Sequence, residues 1–281
     1  MSGEAAPKPI KDAATVILLR EAGSGLETFM LCRHQRSGFM GGAHVFPGGK
    51  VDPNDTDAHW LSRVDPTPEE LTVRLAEADP QLGLGLVVAA VRETFEEAGV
   101  LVARAARDAD LESARAALHH GASFLELADA LDISIDASAL TPYARWITPK
   151  MESSRFDTRF FVAILPQGQR ASHDGSETTS AAWLRPDDAL EQMRRGKIKL
   201  APPTVRTLQW LASFDDAAAV ITDALSRKPP LVRPRIVTGD GGWFLALPGD
   251  PDHPEDEPVL PGATRMLFDG TAWRDAPQPV R

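Results

Sequence analysis

Apolar and polar positions along the chain alternate in two registers, one of strands and one of helices. ATVILLR at 14–20 and LETFMLCRH at 26–34 are rich in residues that suit a half-buried sheet, with EAGSG as the turn between them. The pattern then breaks. GFMGGAHVFPGGK, at 38–50, holds five glycines and a proline in thirteen residues, the mark of unusual dihedrals or close ligand approach. A short helix is predicted after DPTPEE (65–70), with Asp65 or Thr67 as cap and Pro68 in the first turn. A strong helix is predicted over 85–98, stopped by Gly99. Further helices are predicted at 111–120, 122–131, 187–196, 204–214 and 216–226, and strands at 144–148, 158–165 and 181–184. Strands separated by helices at mixed spacing give an α/β (α+β) sandwich. Beyond residue 228 the chain is rich in Pro, Gly and Asp, and RMLFDGTAWR at 265–274 reads as a hairpin around Asp269 and Gly270.

Composition narrows the class only slightly. With 281 residues, 43% hydrophobic and 25% charged, the chain reads as an ordinary globular protein with room for a sizeable core. No apolar run reaches membrane-spanning length, and the first residues lack the apolar region of a secretory signal. The single cysteine, Cys32, excludes an internal disulfide framework, so a reducing, cytoplasmic setting is expected. A net charge of −10 argues against a stable nucleic-acid partner. It leaves small anionic ligands open, because a local cluster of Arg and metal handles phosphate whatever the global charge.

The helix at 85–98 carries the chemistry. Leu86, Val87, Val91, Phe95 and Ala98 fall near one side, and Glu93, Glu96 and Glu97 cluster opposite at i, i+3 and i+4. Like charges at that spacing repel by roughly 0.2–0.5 kcal/mol per pair, and the dipole at a helix C-terminus disfavours negative charge. A hard divalent cation removes both penalties; Mg²⁺ takes oxygen ligands from a few carboxylates plus substrate phosphate. A solvated acidic face is the bland alternative, but it leaves Arg92 and the FPGG loop upstream unexplained.

Arg92-Glu93-Thr94-Phe95-Glu96-Glu97-Ala98-Gly99-Val100 resembles the second half of the Nudix box, with Thr94 where an aliphatic residue is usual. Phe46-Pro47-Gly48-Gly49 resembles the first half, and Asp55 stands where that family has Glu. Thirty-six residues, Thr56 to Val91, separate the two halves in place of a short spacer. An interrupted box of this kind resembles the branch that contains the peroxisomal coenzyme A diphosphatase and its bacterial relatives.

The resemblance implies a mixed sheet sandwiched between helices. It implies a domain over 12–227, with insertions at 56–84 and 104–140, and an extension at 228–281. It further implies a hydrolase of diphosphate linkages dependent on Mg²⁺ or Mn²⁺. Glu93, Glu96 and Glu97 would bind metal with a carbonyl near Gly49. Arg92 would orient the helix by pairing with Asp52 or Asp55, and Gly99 would end it. Glu93, Glu96, or the loop residue Glu177 would be the general base; Glu177 also reads as an ordinary surface glutamate. Arg33, Arg36, Gly48 and Phe39 are the expected substrate contacts. Arg145 and Arg159 are further phosphate candidates, although an arginine of this kind is more often a surface ion-pair partner.

Coenzyme A or acyl-CoA is the expected substrate, although the motif for it ahead of FPGG is half present. Arg33 and Gly42 match it, whereas His34 and Gly38 do not. The alternatives are ADP-ribose or a nucleoside diphosphate sugar, a dinucleotide, and a non-catalytic Nudix-like module. A membrane partner is not expected, and a homodimer is left open.

Overall fold

The computed structural model describes residues 9–23, 25–35, 41–152, 154–175, 177–239 and 242–276. The first two strands, β1 (Ile10–Ala22) and β2 (Gly25–Arg33), form an antiparallel hairpin. The glycine loop then gives β3 (Ala43–Val45), which lies on β2, and β4 (Gly48–Lys50), which folds back onto β1. Two 3-10 turns and the two-residue β5 (Val64–Asp65) lead to α1 (Pro68–Leu75). Thr67 caps α1 in a reciprocal box with Glu70, satisfying two otherwise orphaned amides.

Next comes α2 (Pro80–Ala98), the predicted helix, which begins earlier than the apolar period indicated. Asp79 starts it, accepting hydrogen bonds from the amides of Gln81 at 2.9 Å and Leu82 at 3.3 Å. Pro80 needs no amide partner at that position. Gly99 ends the helix at φ +68°, a left-handed conformation that costs glycine little.

The second insertion forms α3 (Leu111–His119), α4 (Phe124–Ala130) and β6 (Ile135–Asp136), which pairs with β5. The remaining body is β7 (Thr141–Ile147), β8 (Arg155–Ile164), β9 (Thr178–Leu184), α5 (Pro186–Arg194), β10 (Lys199–Leu200), α6 (Pro202–Leu211) and α7 (Ala217–Leu225). The last segment contributes β11 (Leu231–Val232), β12 (Arg235–Gly239), β13 (Gly242–Ala246), β14 (Arg265–Phe268) and β15 (Trp273–Asp275). The hairpin expected around Asp269 and Gly270 is β14–β15.

Among the described residues the main sheet has nine strands, in the order β10-β3-β2-β1-β8-β7-β11, with β4 also on β1 and β9 also on β2. Parallel pairing of β1 with β8 and antiparallel pairing of β1 with β2 make it mixed. The period-2 alternation of β1 feeds two cores. Ala14, Val16 and Leu18 pack with Val87, Val91 and Phe95 of α2. Ile17 and Leu19 face the other way, toward Leu208 of α6, Val220 of α7 and Leu245 and Met266 of the last segment. The sandwich expected from the sequence is therefore present. The segment beyond residue 228 is bound into it: β11 extends the sheet edge beside β7, and β12–β15 form a four-stranded sheet whose apolar face joins the second core.

Candidate active site

The two halves of the interrupted box meet at the C-terminal half of α2. Arg92 reaches across the insertion to Asp55 in a bidentate pair, with Nε and one terminal nitrogen each 2.8 Å from a carboxylate oxygen. Its guanidinium also donates to the Lys50 carbonyl at 3.0 Å and to Glu93 Oε1 at 2.9 Å. Asp55 is 2% exposed, and a planar fork is the group suited to hold a buried carboxylate. Asp52, the other candidate for this pairing, does not face Arg92. It caps the first 3-10 turn, accepting from the Asn54 amide at 3.0 Å while its own amide donates to Asp55 at 2.8 Å. The thirty-six residues between Asp55 and Arg92 thus form a closed excursion that leaves the box geometry joined.

The glycine loop lies directly against the acidic helix. The Gly48 amide donates to Glu97 Oε2 at 2.9 Å. A Cβ placed on Gly49 would stand 2.3 Å from the Glu93 carboxylate, so only glycine fits there unless Glu93 moves. The acidic side of α2 is not a solvated face: Glu97 is 8% exposed. Burial raises the Glu93 carboxyl to about 7, against the charge and hydrogen bond of Arg92, with Glu96 and Asp55 adding to the rise. Burial likewise raises Glu97 to about 8; the Gly48 amide and Arg33 oppose this, and the charges of Glu93 and Glu177 reinforce it. Arg92 is held protonated although its burial works against charge, because Asp55 and Glu93 surround it.

These groups line a cavity of about 460 Å³. Glu93, Glu96 and Glu97 form one side, with Gly48, Gly49 and Lys50. Arg33 and the exposed Glu177 stand on the wall as well. Asp174 presents that loop, accepting from the amides of Glu177 at 2.8 Å and Thr178 at 2.9 Å. Arg36 and Phe39, named as substrate contacts, lie outside the described residues. Arg145 and Arg159 are not phosphate contacts in this arrangement. Arg145 forks onto Asp157 at 2.9 and 2.7 Å, and Arg159 pairs with Asp12, Asp157 and Glu77. Both belong to a partly buried ion-pair network that fastens the box insertion, through Glu77, to the sheet.

Two contributions come from residues that sequence periodicity does not reveal. Arg115 on α3 donates to the carbonyls of Glu96 at 2.9 Å and Glu97 at 2.7 Å, and to the Ser172 hydroxyl at 2.9 Å. It places a cation at the negative end of α2 and ties that end to the segment leading to Asp174 and Glu177. The only hint in the sequence was an acidic helix terminus lacking Lys or Arg in its last turn. The first turn of α6 forms part of the cavity wall through Ala201, Pro203 and Thr204, and no side chain caps it. Its first two positions, Pro202 and Pro203, carry no amide hydrogen, so this end of α6 shapes the wall and offers no cradle of amides for an anion.

The donor set fits a hard divalent cation. Its carboxylates are crowded and buried, with pKa values that signal the cost of charging them unaided. Among the described residues no three His, Cys, Asp or Glu side chains converge into a closed cage: Glu93 is turned onto Arg92 and Glu97 onto Gly48. Mg²⁺ needs no such cage, since it keeps several waters and takes one or two carboxylates with substrate phosphate.

A family model described as the NUDT19 Nudix domain matches residues 74–211. Taken with the sandwich and the loop–helix site, the match defines the class: the chain belongs to the Nudix hydrolases, enzymes that act on phosphorus-containing anhydrides and generally use divalent metal ions. Within that family it is similar to acyl-coenzyme A diphosphatase NUDT19. It is 30% identical to the Gallus gallus protein, over 82% of this chain and 73% of that one. It is 28% identical to the Xenopus laevis protein, over 87% and 75%. Among solved structures, a NUDIX hydrolase from Alicyclobacillus acidocaldarius superposes with a TM-score of 0.66 at 29% identity, covering 79% of this chain and 97% of that chain. No helix among the described residues is long and apolar enough to cross a membrane.

Proposed function

We propose that this hydrolase cleaves the diphosphate of coenzyme A or an acyl-CoA in a Mg²⁺- or Mn²⁺-dependent reaction. Water adds to one phosphorus, and the products are 4′-phosphopantetheine, or its acyl form, and adenosine 3′,5′-bisphosphate. The observation that carries this reading is a single cavity lined by Glu93, Glu96, Glu97 and Glu177 together with Arg33 and Lys50, in a chain similar over most of its length to proteins named acyl-coenzyme A diphosphatase. The hydrolase domain is residues 12–227, and 228–281 is an extension whose described residues pack upon it.

Glu93, Glu96 and Glu97, with the Gly49 carbonyl, would hold the metal. When bound, the cation lowers the pKa of an attacking water and screens phosphate charge. Arg92 stays off the metal and fixes α2 against the glycine loop through Asp55. Arg33 and Lys50, which line the same cavity, offset phosphate charge. Glu93 or Glu96, both on the cavity, would accept the proton of the water. Glu177 faces the same space and is the further candidate.

The test is a Mg²⁺-containing panel of coenzyme A, acyl-CoA, ADP-ribose, NADH, diadenosine polyphosphates and capped RNA, read by mass spectrometry. Release of 4′-phosphopantetheine with adenosine 3′,5′-bisphosphate is the expected result. Cleavage of ADP-ribose with coenzyme A untouched would overturn the substrate assignment.

A further inference from the structure

A second cavity, of about 330 Å³, opens beside the first. The two share Phe156, Thr158 and Phe160 of β8 and the Ala201 and Pro203 start of α6 as a common wall. Their chemistry differs sharply. The far side of the second chamber comes from the extension: Pro234, Ile236, Trp243 and Leu245, with Trp273 set edge-on to Trp243 at 5.6 Å between ring centroids. Among the described residues that line it there is no Lys, Arg or His, and the only charged group is Glu152. Such a chamber repels phosphate and has nothing to pair with it. It rewards burial of hydrocarbon.

We infer that this chamber, walled by the C-terminal extension, binds the acyl end of an acyl-CoA while the diphosphate lies among the carboxylates of the first cavity. The inference rests on the coenzyme A reading above and adds to it a preference for chain length. The occupant follows from continuity and charge. A diphosphate substrate that reaches the chamber past Phe156 and Phe160 must present an apolar end there, and the acyl chain is the apolar end of an acyl-CoA. The chain sits away from the reacting phosphorus, so its binding energy is the same in ground and transition states and shows in KM rather than kcat.

The experiment measures kcat and KM with Mg²⁺ for coenzyme A and its acetyl, hexanoyl and dodecanoyl thioesters, in wild type and Trp243→Glu. Trp243 is 46% exposed at the chamber rim, so the variant keeps the fold, which circular dichroism checks. In wild type, KM falls with chain length by up to roughly fourfold per methylene, then levels as the chamber fills, with kcat nearly constant. In Trp243→Glu the dodecanoyl-to-coenzyme A ratio of kcat/KM drops at least about tenfold, a change near 1.4 kcal/mol. A flat chain-length profile with coenzyme A still cleaved overturns this inference alone. An unchanged ratio in the variant does the same. No turnover of coenzyme A or any thioester overturns the underlying reading and the inference together.

Discussion

Glu97 faces two opposed demands, low exposure and a charge that the chemistry needs. Its ionised form is held by one amide and opposed by burial and two neighbouring glutamates. Glu97→Gln is therefore expected to separate activity from stability. Turnover falls by about 100-fold or more, the scale for loss of a group that acts on the reacting centre. The Gly48 amide can still donate to the side-chain carbonyl, and the metal-free protein at alkaline pH melts no lower than wild type; steady-state kinetics and thermal melts read the two effects. Gly49→Ala makes the complementary test. Its Cβ displaces the Glu93 carboxylate, so turnover drops while the melting temperature falls only slightly. These residues were legible in the sequence, because three glutamates at i, i+3 and i+4 beside a helix C-terminus demand an explanation. Glu177 was less so. Its place on the cavity wall is set by β9 pairing with β2 and by the Asp174 turn, both nonlocal or side-chain events that no local pattern displays.

On the scale of elements, α2 is positioned by two arginines from opposite ends of the problem. Arg92 belongs to the helix and clamps Asp55, so Asp55→Ala leaves a buried cation without its fork and is expected to cost about 3–5 kcal/mol, read by urea unfolding. Arg92→Lys recovers only part of the site, because a point charge cannot make the bidentate contact. Arg115 arrives from α3 and satisfies the last carbonyls of α2. Arg115→Ala is expected to lose about 1–3 kcal/mol and to lower kcat as well, since the same side chain holds Ser172 next to the loop of Asp174 and Glu177. A variant that loses stability with kcat intact would show that the tether is not part of the site. The Arg92 clamp was readable from the box spacing, although only the structure chooses Asp55 over Asp52. The Arg115 contact was not readable, because it joins residues that are neighbours only after the second insertion folds. The start of α2 was misjudged because the apolar period fades before Gly85, whereas the Asp79–Pro80 cap carries the helix further back.

At the largest scale the described residues form a Nudix sandwich around one carboxylate cluster; the second insertion reaches its cavity through His119, and the extension walls the neighbouring chamber. Charging that cluster opposes folding. Glu93 and Glu97 titrate near 7 and 8 in the folded chain, above the ordinary carboxylate value of 4.5. Their contribution to stability is complete below the ordinary value and is lost as pH rises through 7 and 8. A cation binds the ionised forms and restores it. The Mg²⁺-induced rise in melting temperature is therefore expected to grow between about pH 6 and about pH 8.5, with binding releasing protons near neutrality; a gain independent of pH would place the metal elsewhere. The alternating faces of β1 made the sandwich legible from sequence. The role of the extension was hidden, because β11–β15 are short and their apolar residues find partners on elements distant in sequence, among them β1, β7 and α6. The central claim is that the glutamates of α2 drive metal-dependent cleavage of a diphosphate, and one measurement meets it directly: mass-spectrometric time courses of coenzyme A hydrolysis by wild type and Glu97→Gln, each with Mg²⁺ and with EDTA. The account predicts 4′-phosphopantetheine from wild type with Mg²⁺ alone. Equal product from Glu97→Gln, or from wild type in EDTA, would contradict it.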